Sequence, residues 1–102
     1  MAKDISELTN GELVKALTKR ENEVSKACNV VYATQERTDV GFRDILEKIG
    51  SDHPAVVAYN KASADLANAK YEAQRRVGPV TYDMTSTYIT YLQNQKRRKR
   101  AA

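Results

Sequence analysis

The sequence predicts an all-α protein: a long antiparallel helical hairpin with a third C-terminal helix and a flexible basic tail. Three observations carry this expectation. Apolar residues recur at three- and four-residue spacing through two long stretches. The four glycines and two prolines fall mainly between those stretches, where they act as punctuation. Alanine is plentiful, tryptophan is absent and there is a single phenylalanine, a mix that favours helix over sheet. At 102 residues the chain has room for one domain, which buries about two thirds of its unfolded surface. The expected organisation is a helical domain over 1–95 and a basic tail over 96–102.

The first helix has a legible start. Thr9-Asn10-Gly11-Glu12 fits a capping box. In that motif the Thr9 hydroxyl accepts from the N–H three residues on, and Glu12 reaches back to the N–H of Thr9. Leu8 and Leu13 occupy the flanking staple positions. The apolar stripe then runs Leu13, Leu17, Val24, Cys28 and Val31, with Arg20 interrupting it. Gly41 weakens a helix by about 1 kcal/mol, and Thr38 or Asp39 can cap a new one. Yet Val31, Gln35, Thr38, Phe42, Ile45 and Ile49 keep helical phase. A continuous or kinked helix to Ile49 is therefore expected, with a short separate helix over 42–49 as the alternative.

Gly50-Ser51-Asp52-His53-Pro54 separates the first helix from the second. Gly50 suits a C′ position, Asp52 is the expected cap, and Pro54 fits a first helical turn. The second helix is expected over Pro54 to Val77. Its stripe is Ala55, Tyr59, Ala62, Leu66, Ala69, Ala73 and Val77, small enough for a partner backbone to come close. Gly78-Pro79 ends it. From Val80 to Gln95, Met84, Tyr88, Tyr91, Leu92 and Gln95 make a helical face. Val80, Tyr82, Met84, Tyr88 and Leu92 also partly fit strand alternation, but a lone strand would have nothing to pair with. A third helix is the expected outcome.

A continuous first helix would measure about 60 Å and the second about 36 Å. Phe42, Ile45, Leu46 and Ile49 would then overhang, either covered by the third helix or forming an interface with another chain or a second copy.

Charge is concentrated at one end. The chain carries 17 basic and 13 acidic residues. Lys96, Arg97, Arg98, Lys99 and Arg100 are consecutive, and without them the balance is one charge negative. Such a block stays in water and attracts polyanions. It also suits a helix C-terminus, a solubilising end or a nuclear localisation signal. Arg75 and Arg76 precede the Gly-Pro turn, and Tyr82, Tyr88 and Tyr91 lie near the tail. Cations beside aromatics are the ingredients of single-strand nucleic-acid binding, although Tyr88 and Tyr91 also suit packing of the third helix. Helix-turn-helix, zinc-finger and RRM signatures are absent, so nucleic-acid contact, to DNA or RNA, would be independent of sequence.

The inventory for catalysis is thin. His53 is the sole histidine and sits in a turn. Cys28 is the sole cysteine, on an apolar stripe where a thiol behaves as a small hydrophobe. The carboxylates, Glu72 among them, are interspersed with cations as on a solvated face. No Gly-rich phosphate loop and no metal-ligand spacing is present. No catalytic residue, metal, cofactor or small-molecule substrate is expected.

A lone thiol, no secretory h-region and no apolar run of spanning length point to a soluble intracellular, cytoplasmic protein without membrane contact. The expected function is a non-enzymatic interaction module of bacterial or phage accessory type, with a virion place compatible. It would dock on a protein or on itself and touch nucleic acid through its tail. The alternative is a protein-binding inhibitor or structural subunit with no nucleic-acid role.

Overall fold

The computed structural model describes residues 4–36 and 39–101, with side chains through Gln95. Among them the protein is an all-α bundle of four helices with no strand. A single 3₁₀ turn over Ile5–Glu7 precedes α1 (Asn10–Ala33), α2 (Phe42–Ile49), α3 (Pro54–Val77) and α4 (Thr85–Ala101).

The start of α1 forms as its sequence dictates. The Glu12 N–H donates to Thr9 Oγ1 at 3.1 Å, and the Thr9 N–H donates to Glu12 Oε1 at 2.9 Å. The expected helix to Ile49 does not form. α1 stops at Ala33, Thr34 caps it, and α2 is a separate helix after Gly41; Thr38 lies outside the described residues. Burial explains the break. A straight extension would carry Ile45 beyond the start of α3. The turn instead folds α2 back, so that Ile45 is fully buried with Val31 and Ala55.

Two further expectations are corrected. The cap of α3 is His53, not Asp52: its Nδ1 accepts from the Ala55 N–H at 3.1 Å. Pro54 is the first helical residue, and a residue before proline is pushed into the extended conformation that an N-cap needs. The C-terminal helix begins at Thr85, not Val80.

Paired contacts give the helix directions. Arg76 bonds Asn10 and Arg20 bonds the Asp65 carbonyl, so α1 and α3 run in opposite senses. Gln95 bonds Asn10 and Thr85 bonds Glu21, so α4 also opposes α1. Lys70 meets Asp83 and Arg76 meets Gln95, so α3 and α4 run parallel. Parallel neighbours need a return connection, and the Gly78–Met84 segment, about 20 Å when extended, supplies it.

The apolar residues gather in two clusters. The larger holds Leu13, Leu17, Ala69, Ala73, Tyr88 and Leu92, where α1, α3 and α4 meet. The smaller holds Val31, Ile45 and Ala55, flanked by Val40, Phe42, Leu46, Ile49 and Tyr59. The alanines of α3 provide the close approach that its small-residue stripe implies: Ala55, Ala62, Ala69 and Ala73 are all buried.

Candidate nucleic-acid interface

The backbone of the basic run continues α4, so Lys96–Arg100 occupies its final turns. The side chains of Lys96, Arg97, Arg98, Lys99 and Arg100 lie outside the described residues. What holds this end of α4 is a polar knot just before the run. The Gln95 side-chain amide donates to the Arg76 carbonyl at 3.0 Å, and Asn10 Nδ2 donates to Gln95 Oε1 at 3.3 Å.

Arg76 is the centre of that knot. Its Nε donates to Glu72 Oε2 at 2.6 Å and its Nη1 donates to Asn10 Oδ1 at 3.0 Å. Its Nη2 also reaches the carbonyls of Ser6 and Ile5, at 3.4 and 3.5 Å. Arg75 grips the same carboxylate through Nε and Nη2, at 3.0 and 2.7 Å. The two expected nucleic-acid contacts thus differ sharply. The Arg75 side chain is 65% exposed, whereas that of Arg76 is 14% exposed and tied inward on four partners. Arg76 joins the 3₁₀ turn, α1, α3 and α4.

Glu72 is the residue that the sequence misplaces. It lies on the buried side of α3, not on a solvated face. The hydrogen bonds from Arg75 and Arg76 hold its carboxyl below the ordinary value of 4.5, against a burial that pushes the other way. The available signal was spacing: Glu72 precedes two arginines at three and four residues and adjoins Ala73 of the apolar stripe.

The tyrosines separate cleanly. Tyr88 is 2% exposed, and its hydroxyl donates to Asp83 Oδ1 at 2.8 Å. Burial, then that carboxylate, raises the Tyr88 hydroxyl above its ordinary value. Asp83 is held low, first by the Tyr88 bond and then by Lys70. Tyr82 and Tyr91 remain exposed, as does Tyr71, which sequence reasoning passed over.

The residues expected to overhang are used inside the chain. Ile45 is fully buried, while Phe42, Leu46 and Ile49 are half-buried around it. The Phe42 ring lies between those of Tyr32 and Tyr59, with centroids at 5.3 and 4.9 Å. Val30, Tyr32 and Val57 stay exposed.

Cys28 is half-buried, and burial raises its thiol above the ordinary value. His53 serves as a cap. Among the described residues, no three of His, Cys, Asp and Glu are placed to hold a metal ion, and no helix is long and apolar enough to cross a membrane. Among the described residues the arrangement is that of a small all-helical domain. Comparison with protein-family models, curated protein sequences and solved structures found no match to this chain.

Proposed function

We propose that this protein is a non-enzymatic helical interaction module that contacts nucleic acid through Lys96, Arg97, Arg98, Lys99 and Arg100. One observation carries the reading: five adjacent cations, Lys96 to Arg100, stand in a chain whose remainder is almost neutral. Such a block neutralises phosphates without reading bases. The knot around Gln95 supports it, because a fixed α4 would present the run from a defined point of the bundle. Arg75 adds an exposed cation nearby, whereas Arg76 serves the fold.

A protein or second-copy contact completes the module. Val30, Tyr32 and Val57, with the half-buried Phe42, Leu46 and Ile49, favour such a contact at the opposite end. If the basic run serves only solubility, this surface alone would support a protein-binding inhibitor or structural subunit.

Binding of a labelled duplex across a salt series tests the nucleic-acid role. The expected slope of log K against log salt is about −4 to −5, with most of it lost on truncation after Gln95. A salt-independent affinity, or one that survives truncation, overturns the role.

A further inference from the structure

The bases of a single strand need flat, wet aromatic surface as well as cations. The sequence shows tyrosines near the basic run, but not which of them face water. The fold sorts them. Tyr88 is consumed by the core, while Tyr71 is 71% exposed, Tyr82 69% and Tyr91 40%. Two of these line the seam between α3 and α4. One cleft is lined by Lys70, Tyr71 and Gln74 of α3 with Asp83 and with Tyr88 of α4. The next is lined by Val77 of α3 with Tyr91, Asn94 and Gln95 of α4.

Because α3 and α4 are parallel here, the two clefts follow one another towards Lys96. Lys96 lies five residues beyond Tyr91, about 8 Å along the helix. A third shallow cleft joins Tyr71 and Gln74 to Arg75, Gly78 and Pro79, so an exposed guanidinium borders the same track. Gln74 and Asn94 add neutral groups suited to base edges or sugar. Within the first cleft itself Asp83 faces Lys70 at 3.5 Å. That carboxylate disfavours phosphate, so the track has one favourable exit, towards the basic run.

We propose that the α3–α4 seam is a binding track for single-stranded nucleic acid, with Tyr71 and Tyr91 stacking on unpaired bases and Arg75 and Lys96–Arg100 holding the phosphates. The proposal rests on the nucleic-acid role argued above and adds to it a strand preference and a stacking surface. A duplex hides its base faces, so Tyr71 and Tyr91 would give it nothing. An acidic protein would answer the cations but gain little from two separated rings.

The test compares fluorescein-labelled single strands of DNA and RNA, about ten nucleotides long, with a duplex of equal length at low salt. The full chain, Tyr71→Ala/Tyr91→Ala and Tyr71→Phe/Tyr91→Phe are compared by anisotropy, with circular dichroism confirming the fold of each. Single strands should bind more tightly than the duplex. The alanine pair should lose tenfold or more on single strands, the phenylalanine pair should retain binding, and duplex affinity should not move. Quenching of the intrinsic tyrosine emission by oligo-dT or oligo-U should fall in the alanine pair. Preference between the DNA and RNA strands identifies the natural source, and either one supports the track. Equal affinity for duplex and single strand, with no loss in the alanine pair, overturns the track and leaves the charge-based role standing. Equal displacement of the single strand by polyglutamate overturns it in favour of an acidic protein partner. No binding to any nucleic acid at low salt overturns both.

Discussion

Glu72 and Arg76 form a charged pair inside a small bundle, and its value lies in being complete. Four arginine N–H contacts reach Glu72 or Asn10, and two carbonyls of the 3₁₀ turn receive the remaining nitrogen of Arg76. Removing one partner leaves the other desolvated and unpaired. Glu72→Gln should therefore cost about 1–3 kcal/mol at neutral pH, read from urea denaturation. The sign of the pH dependence follows from linkage. The folded-state pKa of Glu72 is depressed, so its stabilisation is fully present above the unfolded value of 4.5 and is lost as pH falls through the folded value. The difference between wild type and Glu72→Gln should shrink as the medium is acidified below that point. A constant difference across the range would remove the carboxylate from this role.

The helices illustrate how much local chemistry can do and where it stops. The Thr9–Glu12 box starts α1 by itself, since both bonds lie within one turn. The two glycines that end α2 and α3 matter for a different reason. Gly50 and Gly78 have φ of 88° and 82° with extended ψ, a region essentially closed to other residues. A Cβ at Gly78 would meet no atom within 4 Å, so the penalty there is purely one of backbone conformation. Gly78→Ala should cost about 1–3 kcal/mol, measured as a fall in denaturation midpoint. A neutral outcome would mean that the return connection relaxes to another path.

Across the molecule, the two apolar clusters differ in size and in what they hold. The larger binds three helices, whereas the smaller fastens one eight-residue helix to the ends of α1 and α3. A helix of eight residues does not persist alone in water, so α2 depends on Ile45 and its neighbours. Between the clusters Arg20 donates to the Asp65 carbonyl at 2.6 Å, a polar bridge across the α1–α3 seam. Hydrogen exchange should read this division directly. Ile45→Ala should speed exchange over 42–49 by tenfold or more while amides around Leu13 and Leu17 keep their protection. Uniform loss along the chain would show instead that the clusters unfold as one unit.

The sequence alone determined the helical class, the Thr9 cap, Pro54 at the start of α3, the helix end at Gly78 and the alanine stripe. Each depends on neighbours within a turn or on simple periodicity, which a linear chain displays in full. Tertiary structure decided the rest. The periodicity from Val31 to Ile49 is equally consistent with one helix or two, and only the burial of Ile45 against Ala55 selects two. Glu72 reads as a surface acid until Arg76 is placed between it and Asn10, 66 residues away in the chain. Tyr88 and Tyr91 of α4 are equivalent as letters, yet one is 2% exposed and the other 40%. Whether a ring is core or surface depends on which side of α4 faces α1 and α3, and the return path from Gly78 to Met84 sets that side. Contacts between distant residues carry no local signature, because their energy comes from what the fold brings together.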